Sequence, residues 1–126
     1  MGQQQLLLIV LGVIVVGIAV VVGINLFNAN AVSSNRDGVV SDLNNLGAMA
    51  QQYYKKPASM GGGGNTFTGW TIPTQLDTTA NGFYTKTVAA QSVVLVGTGN
   101  EKNDAGNLIQ HTATVTPTSI SVTLTQ

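Results

Sequence analysis

An α+β fold, with one long N-terminal helix packed on a small C-terminal antiparallel sheet, is what this 126-residue chain predicts. Three observations carry that reading. Leu, Ile and Val run almost unbroken from Leu6 to Ile24. Apolar positions then open out to helical spacing at Val32, Val39, Leu43, Leu46, Ala50 and Tyr53. Beyond a run of four glycines at 61–64 the pattern becomes alternation, with Ile109, His111, Ala113 and Val115 set against Gln110, Thr112, Thr114 and Thr116.

The first element, residues 1–31, is apolar on every side. Leu6, Leu7, Leu8, Ile9, Val10, Leu11, Val13, Ile14, Val15, Val16, Ile18, Val20, Val21, Val22 and Ile24 are relieved only by Ala19 and by Gly12, Gly17 and Gly23, and no charge precedes Arg36. Roughly 19 residues at about 1.5 Å each give ~28 Å, close to the ~30 Å hydrocarbon thickness of a bilayer. Three readings compete. A cleaved secretory signal fits poorly, because Met-Gly-Gln-Gln-Gln carries no Lys or Arg and the apolar run exceeds the ~7 to 15 residues of a signal core. A plain membrane anchor fits by length, although no basic cluster or Trp/Tyr border marks either end. The third is a helix that waits in the membrane and then packs in the core of a polymer, and the residues beyond Ile24 favour it.

Residues 32–56 continue the same helix in amphipathic form. Asn30, Ser34, Asp37, Ser41, Asn44 and Gln51 oppose the apolar stripe, so Val39, Leu43, Leu46, Ala50 and Tyr53 are expected to cover the sheet. Lys55 and Lys56 suit the negative end of the helix dipole, and Pro57 cannot extend the pattern. The helix is therefore predicted from Gly2 to about Lys56. Its weak points are Gly12, Gly17, Gly23 and Gly38, each costing about 1 kcal/mol relative to Ala.

Residues 57–65 read as a flexible glycine-rich connection. The run lacks the following Lys-Ser or Lys-Thr and the preceding strand of a phosphate loop. Residues 66–126 read as the sheet head. Thr66 to Ile72, carrying Phe67 and Trp70, belongs to its strands and turns. A loop is expected over Pro73 to Asn81, strands over Phe83 to Ala89 and Ser92 to Val96, and a polar connection over Asn100 to Asn107. A hairpin turning at Pro117 ends the chain, with Ile120, Val122 and Leu124 alternating against Ser121, Thr123 and Thr125.

Composition removes several function classes. Five basic residues balance five acidic ones and only 8% of residues are charged, so no basic surface gathers phosphates and direct nucleic-acid binding is not expected. There is no cysteine, hence no disulfide framework and no thiolate chemistry. The single histidine, His111, falls on the apolar face of a predicted strand and is expected to be a packed core residue. Glu101 and Asp104 sit in a Gly-containing loop without EF-hand spacing. Phe27 is the only aromatic in the first 50 residues, which supplies no continuous aromatic path. No enzymatic activity, cofactor or metal site is expected. Thr, Ser, Asn and Gln dominate the second half, giving a neutral hydrogen-bonding surface that suits either adhesion to carbohydrate or solids, or simple solubility.

A helix that begins apolar and ends amphipathic, followed by a glycine-rich connection and a terminal antiparallel sheet, resembles a type IV pilin. The resemblance covers the whole chain as architecture, and its residue-level support lies in the first half. It implies a structural subunit held in the inner membrane before assembly, then polymerised with many copies of itself into a filament at the cell surface. It also implies a prepilin peptidase, a commonly methylated mature N-terminus and an ATP-driven pilus assembly machinery. The alternatives are a minor pilin or pseudopilin of a secretion system, or a monomeric membrane-anchored binding module; adhesion, motility and DNA uptake are not distinguished. Met1 is expected to be the mature first residue, with a cut before Gln3 as the second register. Under the first register Gln5 stands where the family usually keeps Glu, so the ion pair with a neighbouring N-terminal amine is expected to give way to neutral hydrogen bonds among Gln3, Gln4, Gln5 and the Met1 amine. The proline that often interrupts the family's helix is also absent, leaving Gly17 and Gly23 as the expected places for any melting.

Overall fold

The computed structural model describes residues 2–126, which fall into two compact units, Met1–Ala31 and Val32–Gln126. One helix, α1 (Gly2–Lys55), runs through the boundary. No proline interrupts it, and Lys55 places a cation in its last turn.

The helix stops where Pro57 withdraws its N–H. A short 3-10 turn, Ala58–Met60, comes next, and the glycine run then folds back onto the helix end. Gly63 N–H donates to the Tyr53 carbonyl (2.7 Å), Gly64 N–H to the Lys56 carbonyl (3.0 Å) and Asn65 N–H to the Tyr54 carbonyl (2.8 Å). The segment expected to be a flexible connection is thus a hydrogen-bonded cap for carbonyls that the helix leaves open. Only glycine fits at position 63, because a Cβ there would run into the Thr66 carbonyl and come within 2.8 Å of the Tyr53 ring.

Five antiparallel strands form a meander in chain order: β1 (Thr78–Thr79), β2 (Gly82–Val88), β3 (Val93–Lys102), β4 (Leu108–Val115) and β5 (Ile120–Leu124). Two details differ from the sequence expectation, and a third stretch, read only as strands and turns, resolves as turn and irregular backbone. β1 lies inside the stretch read as a loop. Thr66 to Ile72 forms no strand, and its irregular backbone instead buries Phe67 and Trp70. β3 continues past Val96 to Lys102, taking in residues read as a polar connection, because Asn35 of α1 meets it there. The Asn35 side-chain oxygen accepts the N–H groups of Asn100 (3.0 Å) and Glu101 (3.1 Å), where the β3–β4 register shifts.

The core of Val32–Gln126 lies between the second half of α1 and one face of the sheet. Val39, Leu43, Leu46 and Ala50 meet Tyr84 of β2, Val93 and Leu95 of β3, and Ile109, Ala113 and Val115 of β4, with Phe67 and Trp70 closing the side. Gly97 of β3 makes close approach possible: a Cβ there would stand 2.8 Å from Val39 Cγ1 and 2.9 Å from the Tyr84 ring. Burial along β4 alternates as its sequence does. Ile120 and Val122 of β5 are half-buried and Leu124 is exposed, as suits an edge strand. The result is an α+β fold with one long N-terminal helix packed against a five-stranded antiparallel sheet.

Candidate assembly surface

Every described residue from Gly2 to Asn30 is exposed. For the large hydrophobic residues from Leu6 to Phe27 the exposed fraction runs from 51% at Val22 to 75% at Phe27. Successive residues advance about 100° around a helix, so this dense run covers its whole circumference. Transfer of each such side chain out of water is worth about 1.5–3 kcal/mol. Summed over the 15 Leu, Ile and Val side chains between Leu6 and Ile24, that is on the order of tens of kcal/mol. The segment therefore requires an apolar environment on all sides. Among the described residues α1 is the one helix long and apolar enough to cross a bilayer by length and composition.

The glycines in this segment meet no packing of the chain's own. A Cβ built on Gly12, Gly17 or Gly23 would find nothing within 4 Å, and the helix is regular through all three. Gln3, Gln4 and Gln5 form an uncharged amide cluster on the first turns. Met1, the expected partner of Gln5, lies outside the described residues.

The second half of the helix is held to the sheet by its stripe and by polar contacts that sequence reasoning did not single out. Val39, Leu43, Leu46 and Ala50 are buried, while Tyr53 is half-buried and its hydroxyl donates to the Thr68 carbonyl (2.9 Å). Beside them, Asp42 Oδ2 accepts from the Tyr84 hydroxyl (2.5 Å), Thr79 Oγ1 (2.9 Å) and Asn81 Nδ2 (3.0 Å). Asn35 Nδ2 donates to the Asn81 carbonyl (2.7 Å), and Asn100 Nδ2 to the Ala80 carbonyl (2.8 Å). The residues between β1 and β2 are thereby fastened to both α1 and β3. Burial alone would raise the Asp42 pKa, yet the hydrogen bonds from Tyr84, Asn81 and Thr79 outweigh it and hold the carboxyl below its ordinary value. The Tyr84 hydroxyl is pushed upward by burial and by its bond to Asp42.

On the other side of Gly97, His111 is buried on the inner face of β4, opposite Leu124 of β5. Its Nδ1 has no hydrogen-bond partner among the described residues. Burial, and secondarily the positive charge of Arg36, lower its pKa. Arg36 itself donates to the Gln126 carbonyl (3.3 Å). Among the described residues no group of three or more His, Cys, Asp or Glu side chains converges as a metal site would need. Asp42 and Tyr84 thus form a hydrogen-bonded helix–sheet contact, and His111 is a buried residue of β4.

No family model, curated protein or solved structure matches the chain. Its functional reading therefore rests on its own residues.

Proposed function

We propose that this chain is the structural subunit of an extracellular type IV pilus-like filament, polymerising through its N-terminal hydrophobic helix. The supporting observation is the exposed apolar circumference from Leu6 to Phe27, at the start of a helix whose second half is packed against a sheet. Before assembly, lipid covers that circumference in the inner membrane. In the filament, the same residues of neighbouring copies cover it, and the helices form the core. Prepilin peptidase and the ATP-driven assembly machinery act as they do on the family this chain resembles. Catalysis has no part in the mechanism. Negative-stain images of material sheared from the cell surface, with the chain identified by mass spectrometry, test this reading: thin filaments containing the chain are expected. Recovery of the chain solely as a detergent-extracted monomer would refute it.

A further inference from the structure

The apolar band is bracketed by uncharged amides. Gln3, Gln4 and Gln5 precede it, and Asn28 and Asn30 come after it, all exposed on one continuous helix. Two residues turn a helix by about 200°, so Gln3 and Gln5 lie on opposite sides, as do Asn28 and Asn30. On each of these two flanks, an amide at each end of the band faces outward.

Close packing of these helices constrains how neighbours are offset. Apolar helices pack with their axes about 8–10 Å apart, whereas a compact unit the length of Val32–Gln126 is about 30 Å across. Parallel copies in register would force their heads into the same space, so close neighbours are staggered along the axis. A short stagger sets the glutamines of one helix against the Leu and Val side chains of the next, leaving amide N–H and C=O groups without partners in an apolar core. The stagger that restores amide opposite amide is the length of the band. For two parallel helices of like orientation, Gln5 then faces Asn28 on one flank and Gln3 faces Asn30 on the other. The mean offset is about 25 residues, or ~37 Å.

We propose that each subunit has two neighbours on opposite flanks, each displaced by about 37 Å, the Asn28 of one hydrogen-bonding its Gln5 and the Asn30 of the other its Gln3. This rests on the filament reading, and it adds the partner segment and its register. The amides act as a ruler: the aliphatic band supplies the adhesion and tolerates sliding, while the amide pairs choose one offset. A buried polar pair fixes register in coiled coils by the same physics.

The chain has no cysteine, which gives crosslinking a clean background. Filaments assembled from equal parts of Gln5→Cys and Asn28→Cys chains are oxidised and run on a denaturing gel. The expected result is a covalent dimer in the mixture and none in filaments of either variant alone. A dimer from Gln5→Cys alone, or from Gln5→Cys mixed with Val16→Cys but not with Asn28→Cys, overturns the proposed register while leaving the filament reading intact. Failure of the unsubstituted chain to form filaments overturns both. Should the cysteine variants not assemble, helical reconstruction of unsubstituted filaments decides: Gln5 beside Asn28 of another copy supports the ruler, and Gln5 surrounded only by aliphatic side chains rules it out.

Discussion

Asp42 sets one carboxylate oxygen against three donors from a single stretch of chain, Thr79, Asn81 and Tyr84. Asp42→Ala removes the acceptor and leaves the buried Tyr84 hydroxyl unpaired. The expected cost is about 1–3 kcal/mol, read as a lower midpoint in thermal unfolding of the detergent-solubilised chain. Acid acts on two separate groups of the folded unit. The folded His111 pKa lies below its ordinary 6.5, so the unfolded chain takes up the proton first and stability falls as pH drops below about 6.5. The folded Asp42 pKa lies below 3.8, so the stability its ionised form contributes persists above that value and is lost as pH falls further. A two-step decline is expected in unfolding midpoints measured from about pH 7.5 to about pH 3. His111→Gln should flatten the upper step and spare the lower one. An unchanged upper step in that variant would show that His111 does not cause it. The buried histidine was legible from its place in the β4 alternation. Asp42 was not, because it borders the apolar stripe as an ordinary polar helix residue and its partners lie 37 or more positions away.

At the level of elements, the two periodicities carried most of the fold: α1 ends within a residue of the expected Lys56, and β4 and β5 occupy the predicted hairpin. Elements set by tertiary partners escaped. β3 was cut short at Val96 because Gly97, Gly99 and Asn100 are poor strand formers, yet Gly97 is needed where Val39 meets the sheet and Asn100 is bonded by Asn35. The glycine run read as a linker because glycine marks both loose joints and tight caps, and only the open carbonyls at the helix end distinguish the two. Gly97→Ala therefore drives a methyl into Val39 and the Tyr84 ring, and overpacking of about 1–3 kcal/mol is expected in the same unfolding measurement. Substitution in the first half of α1 should behave differently. Gly12→Ala and Gly23→Ala add methyls to open space, so helicity by circular dichroism should hold or rise in detergent, with a gain of about 1 kcal/mol per site. On the filament reading, in which neighbouring helices approach where side chains are absent, filament yield from the same variants is expected to fall. Unaltered yield would show that no neighbour packs at those glycines.

For the whole molecule, the sequence divides where the environment does. Up to Asn30 the described residues are exposed, and from Val39 onward the chain builds a core of its own. The apolar length of the first part was plain from Leu6 to Ile24; what covers it was not, since lipid and a bundle of like helices make the same demand on side chains. The amphipathic continuation and the sheet head favour the second cover, because they make the apolar run half of a longer element that carries a folded unit. A helical reconstruction of filaments containing this chain, at a resolution that separates side chains, decides between the two covers. The filament reading predicts Leu6 to Ile24 of neighbouring copies in contact at the centre, with axes about 8–10 Å apart. A filament whose centre excludes those residues, or a chain found only as a monomer with Leu6 to Ile24 surrounded by lipid, would contradict it.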